Sequence, residues 1–65
     1  MPKGFYKDVI AVLKAHGFIY DGNRKGSHEL WVHPQTNYTT TVPINLKSRH
    51  TANAIMKQAS IDHKF

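Results

Sequence analysis

The chain has 65 residues and no cysteine, which fits a single domain over residues 1–65 with a small core and excludes a disulfide scaffold or a thiolate zinc site. Hydrophobic residues at 40% and aromatics at 11% are enough for a compact fold rather than a disordered tail. Nine Lys and Arg against four Asp and Glu give a net charge of +5, which favours polyanionic partners, although the same balance also keeps a small protein soluble. The opening Met1-Pro2-Lys3-Gly4 lacks the apolar stretch of a signal peptide. Nothing later approaches the roughly 20 apolar residues of a membrane span. A cytoplasmic protein without membrane contact is expected.

The segment from Phe5 to His16 reads as a helix, because Tyr6, Val9, Ile10 and Leu13 recur at helical spacing and Val12 widens the stripe. Gly17 follows where a left-handed residue closes a helix, and His16 suits the carbonyl end through the helix dipole. Phe18-Ile19-Tyr20 is a short β-prone run that ends at Asp21-Gly22-Asn23, a strong turn signal. A second strand runs from Ser27 to His33 and stops at Pro34, with Pro34-Gln35-Thr36-Asn37 as the next turn. Tyr38 to Val42 is a third strand, ended by Pro43. Thr51 to Ser60 is the last helix, with Ala52, Ile55, Met56 and Ala59 on one face and Asn53, Lys57 and Gln58 off it. Ser48 and Thr51 are both suited to its N-cap, and Asp62 to Phe65 reads as a fraying tail. The order is α-β-β-β-α, an α+β fold with a three-stranded antiparallel sheet. Both apolar helix stripes must leave water, so both helices belong on one sheet face. The architecture resembles the double-stranded-RNA-binding domain, a likeness of fold and not of function.

Among the histidines, His16, His33, His50 and His63 are accounted for by a helix end, a strand end, a surface position and a solvated tail. His28 stands apart through its neighbours in Lys25-Gly26-Ser27-His28. Glycine lets backbone come close to a bulky ligand, serine offers a compact donor, and Arg24 and Lys25 put positive charge where a phosphate sits. A histidine with an ordinary pKa of about 6.5 exchanges protons at cellular pH. A lone histidine after a turn is nonetheless more often a plain surface residue. The acidic residues Asp8, Asp21, Glu29 and Asp62 are scattered and give no pair for a two-metal nuclease. His28 and His33 have opposite strand parity and cannot easily share a metal. Metal-free acid–base chemistry with no cofactor is the remaining scheme. Strand parity sets which way His28 faces: with Trp31 in the core it lies on the open side of the sheet, with Leu30 and Val32 in the core it lies at the rim of the packed side. A half-buried core tryptophan is the commoner arrangement.

The runs Leu13-Lys14-Ala15-His16-Gly17-Phe18, Lys25-Gly26-Ser27-His28, His33-Pro34, Thr41-Val42-Pro43 and Ile55-Met56-Lys57-Gln58-Ala59-Ser60-Ile61 resemble the HicA family of type II toxin–antitoxin toxins. The resemblance implies a ribosome-independent mRNA interferase, a metal-independent endoribonuclease that is a monomer when free. It further implies neutralisation by a HicB-type antitoxin covering the face that carries His28. The family's catalytic histidine falls on His28. Arg24, Lys25 and Ser27, with Lys47 and Arg49 across a groove, are the candidates for binding RNA. The stretch before Lys25 is slightly longer than is usual in the family, Ser48-Arg49-His50 replaces a glycine-containing approach to the second helix, and Ser60 stands where glycine is frequent. A non-catalytic double-stranded-RNA-binding module is the main competing reading, and a basic interaction domain for an acidic protein partner is another.

Overall fold

A computed structural model describes residues 4–65; the sequence reading of Met1-Pro2-Lys3 lies outside the described residues. The elements follow the expected order: helix α1 (Tyr6–Ala15), strands β1 (Ile19–Arg24), β2 (His28–Val32) and β3 (Thr39–Pro43), and helix α2 (Arg49–Gln58). The sheet is antiparallel in the order β1-β2-β3. Trp31, Thr40 and Val42 turn inward and meet Val9, Ile10 and Leu13 of α1 and Ala52, Ile55 and Met56 of α2. Both helices therefore cover one face, as their apolar stripes require. Trp31 is only 4% exposed, while Leu30 and Val32 are half-buried. The parity question is thereby settled in favour of Trp31, and His28 belongs to the open face.

The helix ends follow local chemistry. Gly17 takes φ +91° to close α1, and His16 Nδ1 donates to the Val12 carbonyl at 2.9 Å. Ser48 caps α2, its hydroxyl accepting from the Thr51 N–H at 3.2 Å, so α2 begins at Arg49, ahead of the expected Thr51. Ser60 takes φ +58° just after α2, filling with a serine the left-handed position that glycine usually occupies.

Two local expectations are corrected. Asp21-Gly22-Asn23 is not a turn but lies inside β1. Tyr20 pairs with Trp31 and Asn23 with Glu29, so Asp21 and Gly22 together oppose Leu30 in a β-bulge. Gly22 supplies the bulge with φ +94°. The chain reverses instead at Lys25-Gly26-Ser27, where Lys25 (φ +47°) and Gly26 (φ +73°) are both left-handed. Asn23 Nδ2 donates to the Gly26 carbonyl at 3.0 Å and ties that turn to the bulge. The C-terminal residues are also not frayed. The Phe65 N–H donates to Asn53 Oδ1 at 2.8 Å, and the Phe65 ring meets Phe5 edge-on at 5.9 Å.

Candidate active site

β2 carries a histidine at its start and another just past its end, and they have different surroundings. His33 Nδ1 accepts from the main-chain N–H groups of Gln35 and Thr36, both at 3.3 Å. Its ring stands edge-on to Phe18 at 5.2 Å. It caps the turn after β2, in line with the strand-end role expected for it. His28 opens β2 as an exposed residue, and among the described residues no hydrogen bond holds its ring.

The bulge decides which cation accompanies His28. Strict alternation from inward-facing Tyr20 would turn Arg24 toward the helices. The extra residue reverses the parity, so Tyr20 and Asn23 both face inward and their side chains bond to each other. Arg24 then pairs directly with His28 across the strands, which places the two side chains on the same open face. Lys25 and Ser27 complete the exposed hairpin next to them. The Ser27 carbonyl accepts from the Ile44 N–H at 2.9 Å, tying the segment after β3 to this hairpin.

On its other side, His28 lines a groove of about 420 Å³ shared by Thr41 and Pro43 of β3 and by Thr51, Ala54 and Gln58 of α2. None of these α2 residues is cationic. Lys47 lines a different groove with Tyr6, Asp8 and Ile44, and the Arg49 guanidinium lies 6.0 Å from the Phe5 ring centre. Of the candidate residues, the fold thus gathers Arg24, Lys25, Ser27 and His28 around one hairpin. Lys47 and Arg49 stand apart from the His28 groove. Thr41, Thr51 and Gln58 were not among the site residues expected from the sequence. The only hint was that Gln58 lies off the apolar stripe of its helix.

A second polar cluster is built behind the sheet. The Tyr6 hydroxyl donates to the Glu29 carboxylate at 2.8 Å, and Trp31 Nε1 donates to Glu29 Oε1 at 3.1 Å. Burial first, then the hydrogen bond and negative charge of Glu29, push the Tyr6 phenol up to about 12. Glu29 follows His28 directly but faces the helices, so its carboxylate is spent on Tyr6 and Trp31 and is turned away from the imidazole.

Among the described residues no three His, Asp or Glu side chains gather as metal ligands, and no helix is long and apolar enough to cross a membrane. A family model described as "HicA toxin of bacterial toxin-antitoxin" matches residues 6–61. No curated protein and no solved structure matches the chain.

Proposed function

Because the chain belongs to the HicA family of toxins from bacterial toxin–antitoxin systems, we propose that it cleaves mRNA without the ribosome, with His28 as the proton-transfer residue. The observation that carries this reading is the open-face pairing of His28 with Arg24. It sets an imidazole free of structural duties beside a fixed positive charge, at the rim of a groove. His28 takes the proton from a ribose 2′-hydroxyl. The 2′-oxygen bonds to the adjacent phosphorus as the bond from phosphorus to the 5′-oxygen breaks. The products are a 2′,3′-cyclic phosphate and a 5′-hydroxyl, whose proton comes from the imidazolium of His28 or from water. Arg24 and Lys25 hold the phosphate and offset its growing negative charge. Ser27 adds a hydroxyl donor, and Lys47 and Arg49 bind more distant phosphates.

Acid–base help from one histidine is worth about 10²–10⁴-fold, a scale suited to an RNA linkage that already carries its own nucleophile. No metal or cofactor enters this scheme, and the free toxin acts as a monomer in the cytoplasm. A HicB-type antitoxin neutralises it by covering the open face around His28. The test is to incubate purified protein with single-stranded RNA, with and without EDTA, and to identify the new ends. Equal cleavage in both, leaving cyclic phosphates, is expected. Activity lost in EDTA would refute the metal-free scheme, and RNA bound but recovered at full length would make the chain a binding module.

A further inference from the structure

The groove beside His28 differs in character from the hairpin on its other side. The hairpin holds the cations, Arg24 and Lys25. The groove walls are neutral: Thr41 and Pro43 from β3, Thr51, Ala54, Ile55 and Gln58 from α2. Its volume of about 420 Å³ falls within the range of small-molecule pockets, about 300–1,000 Å³. A phosphate gains little from such walls, whereas a flat, neutral, hydrogen-bonding group suits them.

Gln58 gives this groove a fixed polar group. Thr40 is 2% exposed, and its hydroxyl must find a partner inside the protein. It donates to Gln58 Oε1 at 2.8 Å. In this arrangement the amide oxygen is turned to Thr40 and Nε2 away from it. This leaves the two N–H donors of Nε2 for whatever enters the groove, and among the described residues no protein group accepts from them. Pro43 lies opposite His28 in the sheet, and Thr40 lies three residues back along β3, about 10 Å at ~3.3 Å per residue. The Gln58 amide, tied to Thr40, is thus held further along the groove than the point where Pro43 faces His28.

We propose that the groove between β3 and α2 is a nucleobase pocket, in which Gln58 Nε2 donates to an acceptor on the base flanking the scissile linkage. Thr40 is the positioning residue for that amide. The proposal rests on RNA as the substrate, and it makes this pocket the source of the enzyme's sequence preference. Phosphates are held on the hairpin side of His28, and the base is read on the α2 side.

The test compares oligoribonucleotides carrying one abasic site at successive positions around the cut. For wild type, kcat/KM falls on the order of tenfold at one flanking position, the scale of a lost base contact. Gln58→Leu lowers kcat/KM for the intact substrate and is insensitive to the abasic site there. Thr40→Val behaves in the same way, and Thr40→Ser, which keeps the hydroxyl, restores discrimination. Should Thr40→Val fail to fold, exposed Gln58 still decides the matter. A Gln58→Leu variant that keeps the wild-type abasic penalty would overturn the pocket and leave the nuclease reading intact. If wild type cut no RNA at all, the nuclease reading would fail on its own. The pocket is then decided by NMR with a non-cleavable 2′-O-methyl oligonucleotide: the Gln58 side-chain amide signals shift with the intact oligonucleotide and not with its abasic counterpart. Identical responses to both would refute it.

Discussion

The histidines at the two ends of β2 show how one residue type is turned to different ends by its surroundings. His33 accepts two turn amides, packs edge-on against Phe18, and has Gly17 pressed close to its ring. Its ring is committed to architecture. His28 sits five residues earlier in sequence, exposed on the open face opposite Arg24. Its strand holds the backbone in place while the ring is left free. A rigid support under an uncommitted imidazole is what proton transfer requires.

This contrast can be broken from the His33 end. An added Cβ at Gly17 would come within 2.9 Å of His33 Nε2, at a φ of +91°. Gly17→Ala is expected to cost about 1–3 kcal/mol, or about 4–8 °C of Tm for each kcal/mol in a domain of this size. His33→Ala gives the exposed Gln35 and Thr36 amides over to water and removes the ring packed on Phe18, and costs about 0.5–1.5 kcal/mol. Because the two residues touch, the double variant should lose less than the sum, since removing the ring relieves the clash. Thermal melts of the single and double variants check this. Strict additivity would mean that the contact is unimportant.

A smaller effect sharpens the contrast at the His28 end. Arg24→Gln removes one phosphate-facing charge and leaves the sheet pairing in place. RNA binding should weaken, and the slope of log K against log salt should shrink by about 0.7, the value for one contact to a single strand. An unchanged slope would remove Arg24 from the site. The smallest effect concerns the cluster behind the sheet. The folded-state phenol of Tyr6 lies near 12 against an ordinary value of 10.0, so the folded protein holds this proton more tightly than the unfolded chain. Its contribution is fully present below pH 10 and is lost as pH rises from 10 towards 12. Chemical denaturation across that range should show a decline that is shallower in Tyr6→Phe.

The helices were readable because their information is local. Val9, Ile10 and Leu13 mark the buried face of α1, Gly17 ends it, and Ser48 starts α2. Pro34 and Pro43 likewise bound the second and third strands closely enough to place His28 at a strand start. The bulge was not readable. Asp21-Gly22-Asn23 has the composition of a turn, and only the distant pairing of Asn23 with Glu29 makes it part of a strand. That one displaced residue also decides that Arg24 shares a face with His28, so the key cationic partner was named for proximity in sequence while its placement came from register. Strand parity alone put His28 on the open face once Trp31 was taken as core. The groove could not be foreseen, because which flank of α2 lies against β3 is set by packing between elements far apart in the chain. Gln58 shows this most clearly: its orientation depends on a buried hydroxyl eighteen residues away.

The central claim is tested most directly by single-turnover cleavage of single-stranded RNA in EDTA, with wild type, His28→Ala and His33→Ala side by side at a temperature where all three are folded. The expected result is a loss of about 10²–10⁴-fold for His28→Ala with its Tm unchanged, and near wild-type cleavage for the less stable His33→Ala. Cleavage by His28→Ala at the wild-type rate would contradict the assignment of His28.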